Sequence, residues 1–127
     1  MTVYEHLLFY ARVKGISSKY EHQKVREAMD EVHLGKFSHL KSTALSGGMK
    51  RRLSVAIALV GDPKIVFLDE PTTGLDPENR RQLWDILAKC KIGRAMVLTT
   101  HLMEEADVLC NRIGIQDHGV LRCVGNS

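Results

Sequence analysis

The run Ile65-Val66-Phe67-Leu68-Asp69-Glu70 constrains the fold more than any other in this chain. Four consecutive apolar residues, most of them strand formers, leave no polar face for solvent. The segment therefore reads as a strand covered on both sides, as in a parallel sheet. Parallel strands need crossover connections, usually helices, and they gather polar chemistry at their carboxyl ends. Asp69 and Glu70 stand at such an end. Two adjacent carboxylates beside a buried strand are costly unless a cation or a proton transfer uses them, although a solvated turn also accommodates them.

The flanking sequence fits around that strand. Asp76-Pro77 has the form of a helix N-cap followed by proline at the first helical position, and it opens a predicted helix to about Cys90. "AMVLTT" reads as a second buried strand, "LMEEADVL" as a short helix and "RIGIQ" as a third strand. Asp117-His118-Gly119 then turns the chain into "VLRCV". This alternation predicts an α/β fold with right-handed crossovers, a parallel sheet and flanking helices.

Before Pro63 the texture is helical. Thr2-x-x-Glu5 and Ser18-x-x-Glu21 have capping-box spacing, predicting helices over Val3 to Lys14 and Lys19 to Val32, with Gly15 between them. Residues 33–44 read as irregular. Ser46 is a good N-cap for a third helix, along which Met49, Leu53, Ile57 and Val60 recur at helical spacing until Gly61-Asp62-Pro63. The predicted organisation is thus an all-helical unit over residues 1–62 and an α/β unit over residues 63–127.

Composition narrows the function classes. With 127 residues, 44% of them hydrophobic and 26% charged, the chain suits one folded domain rather than a disordered segment. Its net charge of +3 is mild, and Lys50-Arg51-Arg52 and Arg80-Arg81 fall inside predicted helices. They read as solvated faces rather than a nucleic-acid surface. Three widely spaced cysteines, Cys90, Cys110 and Cys123, suggest neither a disulfide framework nor a zinc site, and they fit a reducing cytosolic setting. No apolar run approaches the ~20 residues of a membrane span.

Three groups of residues carry chemistry. Asp69 suits magnesium, and Glu70, one step further out, suits a general base acting on water. Leu45-Ser46-Gly47-Gly48-Met49 places a serine cap and two glycines at a helix start, where free N–H groups and the helix dipole favour an anion; the same pattern also occurs as an ordinary capped helix. His101, following the "AMVLTT" strand, is placed to donate to a phosphate or to orient water. His6, His22, His33, His39 and His118 show no ligand spacing.

"LSGGMKRR", "FLDEPTTGLDP" and "LTTHLMEEADVL", in that order and spacing, resemble the ATP-binding cassette domain of ABC transporters, and the wording is most similar to the A subfamily. The resemblance implies a P-loop NTPase-type sheet, with residues 63–127 as part of an ATPase core and ATP and Mg2+ as cofactors. It makes Leu45 to Met49 the signature motif, Ile65 to Asp69 the Walker B strand and Glu70 the catalytic carboxylate. Gly74-Leu75-Asp76 becomes the D-loop and His101 the switch histidine. Met49 replaces the commoner glutamine and lacks its amide.

Implied partners are a second nucleotide-binding domain, supplying a Walker A loop in trans, and a membrane domain that meets the helical unit. The implied location is the cytoplasmic face of a membrane, with lipid as the cargo class. Two elements of the family pattern are missing. No Gly-x-x-x-x-Gly-Lys-Ser/Thr phosphate loop occurs, since the Gly35-Lys36 pair is followed by Phe37, and no glutamine fills the Q-loop position, which belongs before Thr2. The family's phosphate-loop strand lies between "AMVLTT" and "RIGIQ"; without it, these strands either close on each other or keep open edges.

Two other readings compete. One is the head of an SMC-type ATPase, against which stand the lack of heptads before Leu45 and the transporter-like segment around His101. The other is a non-catalytic interaction module, against which stand intact Asp69, Glu70 and His101.

Overall fold

A computed structural model describes all 127 residues. In chain order it contains α1 (Val3–Val13), α2 (Glu21–Glu31), two 3-10 turns (Gly35–Phe37 and Ser42–Ala44) and α3 (Gly47–Leu59). There follow β1 (Ile65–Asp69), α4 (Pro77–Cys90), β2 (Ala95–Thr99), α5 (Met103–Leu109), β3 (Arg112–Asp117) and β4 (Val120–Asn126).

The first capping box forms: Thr2 Oγ1 accepts from Glu5 N–H at 3.1 Å while the Glu5 carboxylate accepts from Thr2 N–H at 2.7 Å. The second does not. α2 begins only at Glu21, with Tyr20 in the cap position and no side-chain cap. The Glu21 carboxylate is instead drawn into a two-bond pair with Arg12 of α1, at 3.0 and 2.9 Å. A charge-assisted bidentate pair outweighs a neutral capping bond, so the helix start moves two residues downstream of the predicted Lys19.

Two basic side chains close helix ends. Lys14 Nζ donates to the carbonyls of Ile57, Ala58 and Val60 at the end of α3. Arg52, part of a basic run expected to be solvated, turns inward and donates to Val32 and His33 carbonyls at the end of α2. The buried face of α3 correspondingly consists of Gly48, Arg52, Leu53, Val55, Ala56 and Leu59, while Met49 and Ile57 are half-buried.

β1 and β2 pair in parallel, with Ile65 opposite Ala95 and Asp69 opposite Thr99. The expectation of a strand covered on both faces is corrected here. Val66 and Leu68 are buried, whereas Ile65 and Phe67 are 58% and 75% exposed. Only one face of this two-stranded sheet is covered by the chain's own residues, so alternate side chains meet solvent.

β3 also departs from expectation: it pairs antiparallel with β4 in a separate hairpin and does not join the parallel sheet. The turn accounts for the hairpin itself. His118 and Gly119 both take positive φ, at 48° and 75°, the backbone of a two-residue hairpin turn that directs the chain straight back. β2 and β3 do not close on each other, and β2 keeps an open edge.

A continuous cluster of 22 buried residues holds the molecule together, drawing Leu7, Val25 and Leu53 from one side of Asp62-Pro63 and Val66, Leu83 and Ile86 from the other.

The Arg12 guanidinium, donating to Glu21 and attracting its charge, holds the Glu21 carboxyl below the ordinary range. A depressed folded-state pKa contributes stability above the unfolded value, and that contribution is lost as pH falls through the folded value. In urea titrations followed by circular dichroism, Arg12→Met is expected to destabilise most at neutral pH and progressively less as pH drops through the carboxylate range. A deficit of constant size at all pH values would contradict this pairing.

Candidate functional site

The parallel register of β1 and β2 brings Asp69 opposite Thr99, whose Oγ1 donates to Asp69 Oδ1. Where β1 ends, Glu70 takes φ of 43°, a left-handed conformation costly for a residue with a Cβ. Two acceptors hold it there: Glu70 N–H donates to the Thr99 carbonyl at 3.0 Å and to Thr99 Oγ1 at 3.2 Å. Thus one threonine orients one carboxylate and fixes the backbone of the next.

That turn redirects the Glu70 carboxylate toward the end of β2. Glu70 Oε1 lies 3.4 Å from His101 Nδ1, and Glu70 Oε2 accepts from Thr73 Oγ1 at 3.2 Å. Both Glu70 and His101 are exposed, so their pairing adds little to stability and leaves both groups open to a ligand. The structure therefore brings Glu70 and His101 together, and places Asp69 at the same end of the parallel pair, turned to Thr99.

The α3 start forms a second cluster. Ser46 Oγ accepts from Met49 N–H at 3.2 Å, while the N–H groups of Gly47 and Gly48 find no acceptor. Leu45 is buried in the core, and Met49 packs partly against it. Asp76 caps α4 and holds Asn79 from two sides, accepting from its backbone N–H at 3.2 Å and from its side-chain Nδ2 at 2.6 Å. These bonds, led by the Asn79 side chain, keep the Asp76 carboxyl below its usual range.

Asn79 explains the second glycine of the motif. A Cβ on Gly48 would lie 2.2 Å from Asn79 Oδ1 and 2.6 Å from its Cγ, whereas one on Gly47 would meet nothing within 4 Å. α3 and α4 thus touch backbone to side chain at their amino ends. Arg51 adds a tie from α3 to the loop after β1, donating to the Thr73 carbonyl at 3.1 Å.

Against known families, the ABC transporter model matches residues 1–73, more than half of the chain. The chain belongs to the ABC transporter family. It is 54% identical over 123 residues to ABC transporter A family member 2 of Arabidopsis thaliana, a match covering 97% of this chain and 12% of that protein. A family member 9 of the same plant is also 54% identical, with 97% of this chain and 13% of that protein covered. A family member 8 is 52% identical over 124 residues, covering 96% and 14%. The chain thus spans about an eighth of the length of these curated relatives.

Several residues that shape this candidate site carry little or no signal in the sequence. Thr99 becomes visible only once the β1–β2 register is known. Asn79 carries a weak signal, as an amide three residues after the Asp76 cap, but nothing in the sequence says that it lies over Gly48. Glu105 carried a stronger one: with Leu102, Ala106 and Leu109 it falls on one helical face, and it is buried.

Gly48→Ala is expected to lower stability by about 1 kcal/mol, because overpacking against an Asn79 side chain tied to Asp76 outweighs the gain in helix propensity. Asn79→Ala in the same chain should recover most of that loss, because it removes the Oδ1 and Cγ in the way and leaves only a Cβ 3.3 Å off. Equal losses with and without Asn79, measured by chemical denaturation, would show that the contact is not the cause.

Proposed function

We propose that this chain is part of an ATPase domain of an ABC transporter most like the A type, coupling ATP binding and hydrolysis to transport across a membrane, with lipid as the cargo class. The observation that carries the reading is the pairing of Glu70 with His101, 3.4 Å apart, at the carboxyl end of the parallel pair where Asp69 closes β1 against Thr99.

In this reading Glu70 accepts a proton from the attacking water, and His101 holds that water or a phosphate oxygen in line. Asp69 would hold Mg2+, which when bound would neutralise phosphate charge. No group of three or more His, Cys, Asp or Glu side chains is placed to cage a metal. That suits magnesium, which usually takes one or two carboxylates and completes its shell with water and phosphate. The unpaired N–H groups of Gly47 and Gly48, with Ser46, suit a phosphate. Leu45 supports this tip from the core and Met49 from its edge, and Asp76 lies at the seam between domains.

The phosphate loop is supplied from outside these 127 residues, and a second nucleotide-binding domain lies across the signature motif. A cleft of about 790 Å3 between β2 and the hairpin, lined by Met96, Leu98, Leu109, Gly114 and Val124 among others, supports this reading, because it leaves an apolar place beside an open strand edge for one more strand. Residues 1–62 form the helical unit that meets a membrane domain, and residues 63–127 belong to the ATPase core at the cytoplasmic face. No helix here is long and apolar enough to cross a membrane.

The test is a chimera in which this chain replaces the matching segment of the Arabidopsis A family member 2 protein. Mg2+-dependent ATP turnover is expected to persist, and Glu70→Gln within the segment should lower kcat by about 100-fold or more with nucleotide binding retained. Turnover indifferent to Glu70→Gln would refute the assignment.

A further inference from the structure

Two buried carboxylates stand outside the proposed chemistry; Glu21 is paired with Arg12, whereas the second has no cationic partner. Glu105, on α5, is 1% exposed. Its Oε1 accepts from Thr72 Oγ1 at 2.6 Å and from Trp84 Nε1 at 3.1 Å. Thr72 and Trp84 are 0% and 7% exposed, so this small polar network lies away from water. Leaving either donor unpaired there costs its desolvation, which ties the three side chains to one geometry.

The network's position matters more than its burial. Thr72 lies in the tight turn after Glu70, where Thr73 N–H donates to the Glu70 carbonyl and Leu75 N–H to that of Thr72, both at 3.2 Å. Its neighbour Thr73 is the residue whose hydroxyl holds the Glu70 carboxylate. Trp84 belongs to α4, which Asp76 caps. Glu105 itself sits in the first turn of α5, its N–H donating to the Leu102 carbonyl one residue after His101. The three segments that carry Glu70, Asp76 and His101 therefore converge on a single buried oxygen.

We propose that Glu105 is a positioning residue: by accepting from Thr72 and Trp84 at once, it locks the loop after β1, α4 and α5 together and so sets Glu70 against His101. The proposal rests on the ATPase reading for its consequence in turnover, but the positioning itself is a property of the chain. Glu105→Gln keeps an oxygen able to accept both bonds; Thr72→Val keeps the volume and removes the donor.

Native-state amide exchange by NMR on the 127-residue chain tests it, with the indole N–H signal of its single tryptophan as a marker of the Glu105 bond. Thr72→Val and Glu105→Ala are expected to speed exchange at Glu70, Thr73 and Leu75 by about tenfold, as loss of one hydrogen bond implies, while amides of α1 to α3 keep their rates. Glu105→Gln and Thr72→Ser should exchange like the parent.

In the chimera, Thr72→Val should lower kcat by about tenfold at unchanged KM, and Thr72→Ser should restore it. Faster exchange throughout α1 to α3, or none at Glu70, overturns the proposal, and Thr72→Val decides this even if Glu105→Ala fails to fold. A chimera without turnover in the parent form contradicts the ATPase reading instead, and the exchange data then decide the role of Glu105 alone.

Discussion

The parallel pairing of β1 with β2 is the interaction on which the rest depends. It sets Asp69 opposite Thr99, and that one match places an acceptor for Glu70 N–H just where the strand ends. Without it the left-handed turn at Glu70 would have no compensation, and its carboxylate would not face the segment that follows β2. A slip of one residue would also exchange the buried Val66 and Leu68 for the exposed Ile65 and Phe67. The same register thus serves the core and the site.

The second constraint is the way the helical residues are fastened to that pair. Lys14 and Arg52 satisfy carbonyls at helix ends across element boundaries, and one hydrophobic cluster runs from Val3 to Leu109. Arg51 and Asn79 then connect the start of α3 to the loop and helix that follow β1. The serine-glycine tip is therefore held relative to the acidic strand end by short contacts rather than by a long lever.

Local signals in the sequence were legible where a single residue decides the outcome. The Thr2 and Ser46 caps, the left-handed Gly15 and the Asp76-Pro77 start of α4 all appear as their chemistry dictates. The second capping box was not legible, because Glu21 has a partner in Arg12 that lies in another helix. Strand placement was legible too, but pairing was not. A period-two or continuous apolar pattern says that a segment is extended and does not say which neighbour it finds. At β3 the two-residue turn at His118-Gly119 sets the pairing with β4, and the hairpin lies outside the parallel sheet. Likewise Asp69, Glu70 and His101 could be placed at strand ends from sequence, whereas Thr99, Asn79 and Glu105 act through tertiary contacts.

The most direct measurement is the scalar coupling across the hydrogen bond from the Glu70 amide to the Thr99 carbonyl, observed by NMR on the isotope-labelled chain. A measurable coupling between that nitrogen and that carbonyl carbon is expected, together with close contacts between Phe67 and Val97. Absence of the coupling with contacts shifted to Met96 or Leu98 would mean a different register, and the placement of Glu70 against His101 would fall with it.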